Sequence, residues 1–130
     1  MSEKYELEVG VDVAKRELCV CIKTKIKSYP NTSSGIKALF IAISKAGGNV
    51  RITCEATGSY QDLLVRSCLK KGIPVSQCDA GQIKHYIKSF GQRAKTDPID
   101  ARYIAEFAKD RAPEILGKEW IKQLDMRELK

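Results

Sequence analysis

The sequence has 130 residues, which is the length of one domain and enough to bury a core without disulfides or a structural metal. No apolar run approaches the roughly 18 residues that span a bilayer, and the first ten residues lack the apolar segment of a signal peptide. We therefore expect a cytoplasmic protein without a membrane partner. The net charge of +7 favours polyanionic partners, with nucleic acid first.

Five cysteines and a single histidine, His85, limit the metal and redox chemistry of the chain. None of the cysteines forms a C-x-x-C pair, so a zinc site would lack a recognisable ligand spacing. Most of them fall within apolar strand-like or helix-like patterns, and we interpret them as reduced, buried apolar residues. They are Cys19, Cys21, Cys54, Cys68 and Cys78.

The first thirty residues alternate apolar with polar or small side chains, which is typical of strands. The pattern predicts strands over residues 6–13 and 17–26, and a short strand over residues 26–29 that ends at Pro30. Three consecutive strands with short connections predict an antiparallel meander.

The rest of the chain alternates helical and strand patterns. A helix is predicted to begin at Thr32 to Ser34 and to end at Gly47-Gly48. The later predicted segments are a strand over 50–54, a helix from Gly58-Ser59 to Gly72, a strand over 73–78, a helix over 80–90, a linker over 91–95, a helix from 96 or 97 to about 109, and a helix after Pro113. This order predicts an α/β fold of the ribonuclease H-like kind, a mixed sheet with three antiparallel strands and then parallel strands, flanked by helices.

Two acids lie at the ends of predicted strands. Asp12 is near the end of the first strand, and alternation places it on the opposite face from Val11 and Val13. Glu55 directly follows a strand, and sites in α/β sheets gather beyond the carboxyl ends of parallel strands. Taken singly, Asp12 could cap a turn and Glu55 could be a loop glutamate.

Asp97 and Asp100 form a second pair, in the segment KTDPIDARYIA. A spacing of three residues on the predicted helix places both carboxylates on one face, about 5–6 Å apart at Cβ. The alternative is capping, with Asp97 as the N-cap, Pro98 as the first helical residue and Asp100 as the acid of a capping box. The two interpretations are compatible, because Asp100 can bind a metal from the first turn.

The predicted fold brings the four acids Asp12, Glu55, Asp97 and Asp100 into one area. Clustered carboxylates repel one another, so the arrangement is costly unless a cation fills it. Oxygen ligands without His or Cys suit Mg²⁺ or Mn²⁺, and two such ions would stabilise the attacking and leaving oxygens of a phosphodiester. The set therefore predicts a catalytic site for divalent metal.

A basic segment precedes the second pair of acids. Between residues 82 and 95 there is no acid, and His85, Tyr86 and Phe90 are interleaved with cations. This composition favours binding of a nucleic-acid backbone with some stacking, and a solvated helix face is the alternative. The cations are Lys84, Lys88, Arg93 and Lys95.

The motifs GVDVAK with Asp12, CEATGSY with Glu55, and KTDPIDARYIA with Asp97 and Asp100 together resemble the DEDD transposases of the IS110 type, the family of Piv- and MooV-like DNA invertases. The resemblance runs from about residue 9 to residue 112, and NTSSGIKAL and AGQIKHY fit it as well. It implies an N-terminal domain of the RuvC type, in which the four acids coordinate divalent metal.

The resemblance also implies movement of a DNA element by site-specific recombination, directed in some members by an element-encoded structured RNA. DNA is the expected partner, an element-encoded guide RNA is a second candidate, and the full-length protein is expected to be a homo-oligomer. Residues 1–112 would form the catalytic domain, and residues 113–130 would start a following helical segment that is cut off. The family's nucleophilic serine belongs to a C-terminal domain, and neither Ser59 nor Ser89 corresponds to it. Complete strand exchange is therefore not expected of this chain alone.

Three other functions fit parts of the pattern. A junction-resolving nuclease would use the same four acids with water as the nucleophile, and a non-catalytic fragment would bind nucleic acid without metal. A sugar-kinase-like ATPase also begins with an Asp on its first strand, but it requires a Gly-rich phosphate loop. Asp12 is followed by Val13-Ala14-Lys15, so the kinase ranks last.

Overall fold

One five-stranded sheet lies at the centre of the computed structural model, which describes residues 4–56, 58–91 and 100–128. Its strands are β1 (Leu7–Val13), β2 (Glu17–Ile22), β3 (Lys25–Pro30), β4 (Val50–Glu55) and β5 (Val75–Cys78). They lie in the order β3-β2-β1-β4-β5; β2 is antiparallel to β1 and β3, whereas β4 is parallel to β1 and β5. The predicted α/β mixed sheet is confirmed, and it is the ribonuclease H-like arrangement.

Helices cover both faces of this sheet. Within the described residues they are α1 (Ser33–Ala46), α2 (Asp62–Lys71), α3 (Ala80–Lys88), α4 (Ala101–Arg111) and α5 (Trp120–Glu128). The larger hydrophobic core joins one face of the sheet to α1, α2 and α5, and a smaller core joins α3 to α4 beside the end of β5. The two cores leave the sheet in the middle of a three-layer α/β/α structure.

Capping groups define the limits of α1 as the sequence predicts. The Thr32 side chain accepts a hydrogen bond from the backbone N–H of Gly35 at 3.1 Å, and the chain leaves the helix at Gly47 with φ of 77°. The predicted start of the next helix at Gly58-Ser59 is wrong, because α2 begins only at Asp62. The side chain of Gln61 donates to the carbonyl of Gly58 at 3.0 Å and stabilises a turn over residues 58–61.

The single strand predicted over residues 17–26 is two strands joined by a tight turn. β2 ends at Ile22, and Lys23 and Thr24 take positive φ values of 55° and 142° before β3 begins. Neither residue is the Gly or Asn that usually marks such a turn, so the alternation of KTKI concealed it.

Strand β1 separates an apolar face from a polar one. Leu7, Val9, Val11 and Val13 are buried in the larger core. Glu8, Gly10 and Asp12 therefore share the opposite face, which α4 crosses with the backbone of Ala101 and Ala105 against Gly10. This close approach brings the first turn of α4 to the polar face of the central strand.

All five cysteines are free thiols in this structure, and the predicted burial is confirmed for four of them, whereas Cys19 is half-buried. Burial raises the pKa of Cys68 to about 12, so this thiol stays protonated.

Residues beyond α4 pack on the same structure. Leu124 on α5 is buried in the larger core, and an ion pair of 2.9 Å joins Arg66 Nη2 on α2 to Asp125 Oδ1. The backbone N–H of Leu116 also donates to the carbonyl of Val75 on β5 at 2.9 Å. None of the helices in the described ranges is long and apolar enough to cross a membrane.

Candidate active site

Asp12 and Glu55 lie side by side at the carboxyl ends of two adjacent parallel strands. The register of β1 and β4 places Gly10 opposite Thr53. Because side chains alternate along each strand, the next residues on that same face are Asp12 and Glu55. Both side chains are half-buried. Two acids that are far apart in the sequence thus share one edge and one face of the sheet.

Asp100 joins this face from the N-terminus of α4. It has extended φ and ψ of −136° and 178°, and its Oδ1 accepts hydrogen bonds from the N–H groups of Arg102 at 2.9 Å and Tyr103 at 3.1 Å. Its Oδ2 lies 3.5 Å from Arg102 Nη2. Because Ala101 contacts Gly10, the carboxylate that caps α4 lies beside Asp12.

The predicted start of the last helix of the domain at residue 96 or 97 is wrong. α4 begins at Ala101, and its N-cap is Asp100 rather than Asp97. Asp100 therefore does not occupy a helical face three residues after Asp97, because a residue that caps a helix has non-helical backbone angles. Asp97 and Pro98 lie outside the described residues.

The acids perturb one another electrostatically. Burial, and then the charge of Asp100, raise the pKa of Asp12. Burial, and then the charge of Asp12, also raise the pKa of Glu55, against which Lys84 acts in the opposite direction. In the absence of a cation, ionising all of these acids is therefore unfavourable, and a cation placed among them would relieve the repulsion.

The donor set fits a hard divalent cation, although it does not form a closed ligand shell. Across residues 4–56, 58–91 and 100–128, no three His, Cys, Asp or Glu side chains converge closely enough to hold an ion. The pKa shifts nevertheless show that Asp12 is within electrostatic range of both Glu55 and Asp100. The Asp12 carboxylate accepts no hydrogen bond from the described residues, which argues against a turn cap and leaves its oxygens available. Asp12, Glu55 and Asp100 thus share one edge of the sheet without forming a metal site by themselves, and each offers the oxygen ligands that Mg²⁺ and Mn²⁺ prefer.

A thiol lies beside these carboxylates but is a poor nucleophile. Cys19 on β2 is the register partner of Asp12. Burial first, and then the charges of Asp12, Glu17 and Asp100, raise its pKa. The thiol therefore remains protonated, and cysteine nucleophilic chemistry is not favoured here.

Two of the four predicted DNA-binding cations are described, and one of them lies near this site. Lys84 and Lys88 are exposed on α3, the helix that follows β5 at the edge of the sheet where Glu55 lies. Lys84 is close enough to Glu55 to lower its pKa. Arg93 and Lys95 lie outside the described residues.

Three residues that the sequence analysis did not identify lie on the same face of the sheet as Asp12 and Glu55, earlier along the same two strands. Arg51 and Glu8 are register partners on β4 and β1, and Arg51 donates to both carboxylate oxygens of Glu8, at 2.9 and 2.6 Å. Gly10 lies two residues from Asp12 on the same face. A glycine within EVGVDV and a charge within VRITC were the available signals, because neither belongs in an ordinary buried strand.

Asn31 was also missed, and it connects the two loops that follow the acids. Its Nδ2 donates to the carbonyl of Ala14, just after β1, and to the carbonyl of Tyr60, in the turn before α2, both at 3.0 Å. The sequence carries no local signal for this role, because the contacts bridge segments that are distant along the chain.

Comparisons with known proteins identify the family of the chain. The family model for DEDD transposases of the IS110 type, described as transposase, matches residues 9–130. The pilin gene-inverting protein of Moraxella lacunata is 31% identical over 121 residues, and that of Moraxella bovis is 30% identical over 121 residues. Each alignment covers 87% of this chain and 37% of the relative, so the chain spans little more than a third of the length of these relatives. The chain belongs to the IS110-type DEDD transposase family.

Proposed function

We propose that this chain is the N-terminal catalytic domain of a DNA transposase or site-specific recombinase, in which Asp12, Glu55, Asp97 and Asp100 bind Mg²⁺ or Mn²⁺ for cleavage and transfer of DNA strands. The observation that carries the proposal is the shared position of Asp12 and Glu55, on one face at the carboxyl ends of adjacent parallel strands, with Asp100 beside them. Carboxyl ends of parallel strands are where α/β folds place ligands.

The acids would have different roles in such a metal site. Asp12 lies on the central strand, interacts electrostatically with both Glu55 and Asp100, and accepts no hydrogen bond from a described residue, so it would be the acid best placed to hold the metal. Asp100 uses Oδ1 to cap α4, so its Oδ2, which lies 3.5 Å from Arg102 Nη2, would be the oxygen it offers to a metal. Divalent metal bound there would stabilise charge on the attacking and leaving oxygens of a phosphodiester. Asp97 completes the set on the strength of the family motif.

The cationic surface supplies the DNA contacts. Lys84 and Lys88 on α3, with Arg93 and Lys95 after it, would neutralise phosphates without reading base sequence. Lys84 lies nearest to the acids and would contact the strand that enters the site. DNA is therefore the proposed partner, and a guide RNA would engage the same kind of phosphate-binding surface.

The division of the chain follows from this assignment. Residues 1–112 hold all four acids and would form the catalytic domain, and residues 113–130 would begin the following helical segment, of which Leu124 packs back into the same core. The relatives are named for inverting a pilin gene, so the proposed reaction is a rearrangement of a DNA segment in the cytoplasm. The rest of a full-length protein would supply the remaining catalytic groups, and recombination at paired ends would require a homo-oligomer.

Metal binding and DNA cleavage by matched variants test the proposal. Wild-type protein, Asp12→Asn and the control Glu119→Gln would each be titrated with Mn²⁺ by calorimetry and incubated with supercoiled and four-way-junction DNA. Glu119 is exposed, and it precedes α5 in the layer opposite α4. We expect Mn²⁺ binding by the wild type and the control and its loss in Asp12→Asn. DNA binding that is indifferent to Mn²⁺ in all three proteins would favour the non-catalytic fragment, and hydrolysis of the junction alone would favour the resolving nuclease.

A further inference from the structure

We propose that Arg51 is a positioning residue for the carboxylate site, which acts through α4 to hold Asp100 beside Asp12. This inference rests on the proposed metal site. Among the described residues, Arg51 contacts neither Asp12 nor Glu55 nor Asp100. It binds the opposite end of the helix that Asp100 caps, and it binds the strand that carries Asp12.

The guanidinium of Arg51 connects three segments of the chain. Nε and Nη2 donate to the two carboxylate oxygens of Glu8 on β1, at 2.9 and 2.6 Å. Nη2 also donates to the carbonyl of Ala108 in the last turn of α4 at 2.7 Å, and Nη1 donates to the carbonyl of Pro113 beyond it at 3.2 Å. A planar group with several fixed donors can make these bonds at once, whereas a lysine ammonium cannot.

The environment of Arg51 indicates a role in geometry more than in stability. Its side chain is 3% exposed and that of Glu8 is 11% exposed. Removing such charges from water costs as much as the ion pair returns, so a buried pair gives little net stability relative to apolar residues of the same size. What this pair does provide is a fixed orientation of α4, because the carbonyls of Ala108 and Pro113 must both accept hydrogen bonds from the guanidinium.

Arg51 makes one of two contacts that fix the backbone of α4 on the sheet, while Ile104 and Phe107 pack the helix against α3. The other contact is at Gly10 on β1, which receives the backbone of Ala101 and Ala105. Ala101, Ala105 and Ala108 recur at helical spacing, so one narrow face of α4 lies on the sheet at both ends. The Gly10 contact lies one residue after Asp100, so a change in the tilt of α4 about that contact would move the Asp100 carboxylate. The hydrogen bond from Arg51 to the carbonyl of Ala108 restrains that tilt.

Mn²⁺ affinity of folded variants tests the proposal. Arg51→Lys keeps the charge but cannot reach Glu8, Ala108 and Pro113 together. Arg66→Lys is the matched control, because Arg66 forms its ion pair with Asp125 in the helical layer on the other side of the sheet. Mn²⁺ dissociation constants would be measured by calorimetry well below each melting temperature. We expect the constant to rise about tenfold in Arg51→Lys, the lower range for residues that orient metal ligands, and to stay within about twofold in the control.

Each outcome decides the matter. Folded Arg51→Lys with the wild-type dissociation constant would overturn the positioning role while leaving the metal site intact. Wild-type protein that binds no Mn²⁺, or Asp12→Asn that binds it equally well, would instead overturn the metal site and the positioning role with it. If Arg51→Lys does not fold, Glu8→Gln decides. That variant weakens the bonds between Arg51 and β1, and we expect it to raise the Mn²⁺ dissociation constant about threefold. An unchanged constant in Glu8→Gln would overturn the proposal.

Discussion

Gly10 lies directly beneath Ala101, so closely that a Cβ on Gly10 would come within 2.1 Å of the Ala101 carbonyl oxygen and 2.5 Å of the Ala105 nitrogen. No side chain fits there without moving the helix, because both contacts are with backbone. The glycine thus sets the distance between α4 and β1, and with it the separation of Asp100 from Asp12.

Gly10→Ala is therefore expected to destabilise the protein by about 1–3 kcal/mol, the usual cost of forcing atoms into a packed interior, and to weaken Mn²⁺ binding. Chemical denaturation and Mn²⁺ titration measure the two effects. Gly81→Ala in α3 is the control, because its Cβ would lie 3.1 Å from the movable Asp79 Oδ1, and we expect a change below about 1 kcal/mol. Equal stabilities of Gly10→Ala and wild type would contradict the close approach.

Asp12→Asn should show that repulsion among the acids weakens the metal-free protein. The pKa of Asp12 is raised in the folded state by burial and by Asp100. The stability associated with this acid is fully present below its unfolded pKa of about 3.9 and is lost as the pH rises through the raised folded value. Differential scanning calorimetry in EDTA should therefore find the variant no more stable than wild type near about pH 4 and more stable near about pH 7. A variant that is less stable at the higher pH would contradict the repulsion.

Two substitutions of Asp100 separate its roles as a helix cap and as a metal ligand. Asp100→Ala removes both, and should cost about 1 kcal/mol of stability in any buffer as well as the response to Mn²⁺. Asp100→Asn keeps a capping oxygen for the N–H groups of Arg102 and Tyr103 but loses the charge. Melting curves in EDTA and in millimolar Mn²⁺ should give near-normal stability and little metal response for Asp100→Asn. A full Mn²⁺ response in that variant would restrict Asp100 to capping.

Lys84 and Lys88 should neutralise DNA phosphates without sequence preference. Replacing both with Ala should reduce the slope of log K against log salt concentration by about 0.9 for each phosphate of duplex DNA that is no longer neutralised. Fluorescence anisotropy over a range of salt concentrations measures the slope. The double variant of Lys70 and Lys71, at the far end of α2, is matched in charge and should retain the wild-type slope. Identical slopes for both double variants would remove α3 from the DNA-binding surface.

Thr24→Gly should stabilise the β2–β3 hairpin. Thr24 has φ of 142°, a backbone conformation that a β-branched residue adopts only with strain and that glycine adopts freely. Relief of such strain is expected to raise stability by about 1 kcal/mol, measured by denaturation in urea. Thr53→Gly, in the middle of β4, is the contrasting substitution and should destabilise, since its backbone is already extended.

Periodicity predicted most of the strands and helices because their buried faces repeat at regular spacing, as the apolar residues of β1 do. It failed where local hydrogen bonds decide a boundary. Gln61 stabilises a turn before α2 begins, and the N-cap of α4 is Asp100, whereas the sequence pattern predicts Asp97. Both outcomes depend on which competing polar side chain satisfies a helix end, and the sequence offers more than one candidate.

The shared edge of Asp12 and Glu55 was predictable from their positions at the ends of strands. The residues that hold them in place were not. Arg51 acts through Ala108 and Pro113, and Asn31 acts through Ala14 and Tyr60, in every case through backbone carbonyls. A carbonyl is present at every position, so no residue type in the sequence identifies the partner.

The central position of β1 also determines when the acids of the proposed metal site can come together during synthesis. β1, β2 and β3 pair locally and can form as soon as they emerge, but Asp12 then faces an open sheet edge. Its neighbour Glu55 arrives only with parallel pairing to β4, which requires the α1 crossover, and Asp100 arrives later still with α4. Non-local parallel pairing is slow to form. A nascent chain on the ribosome therefore holds these acids apart until α4 has been made, so the proposed metal site cannot form before then.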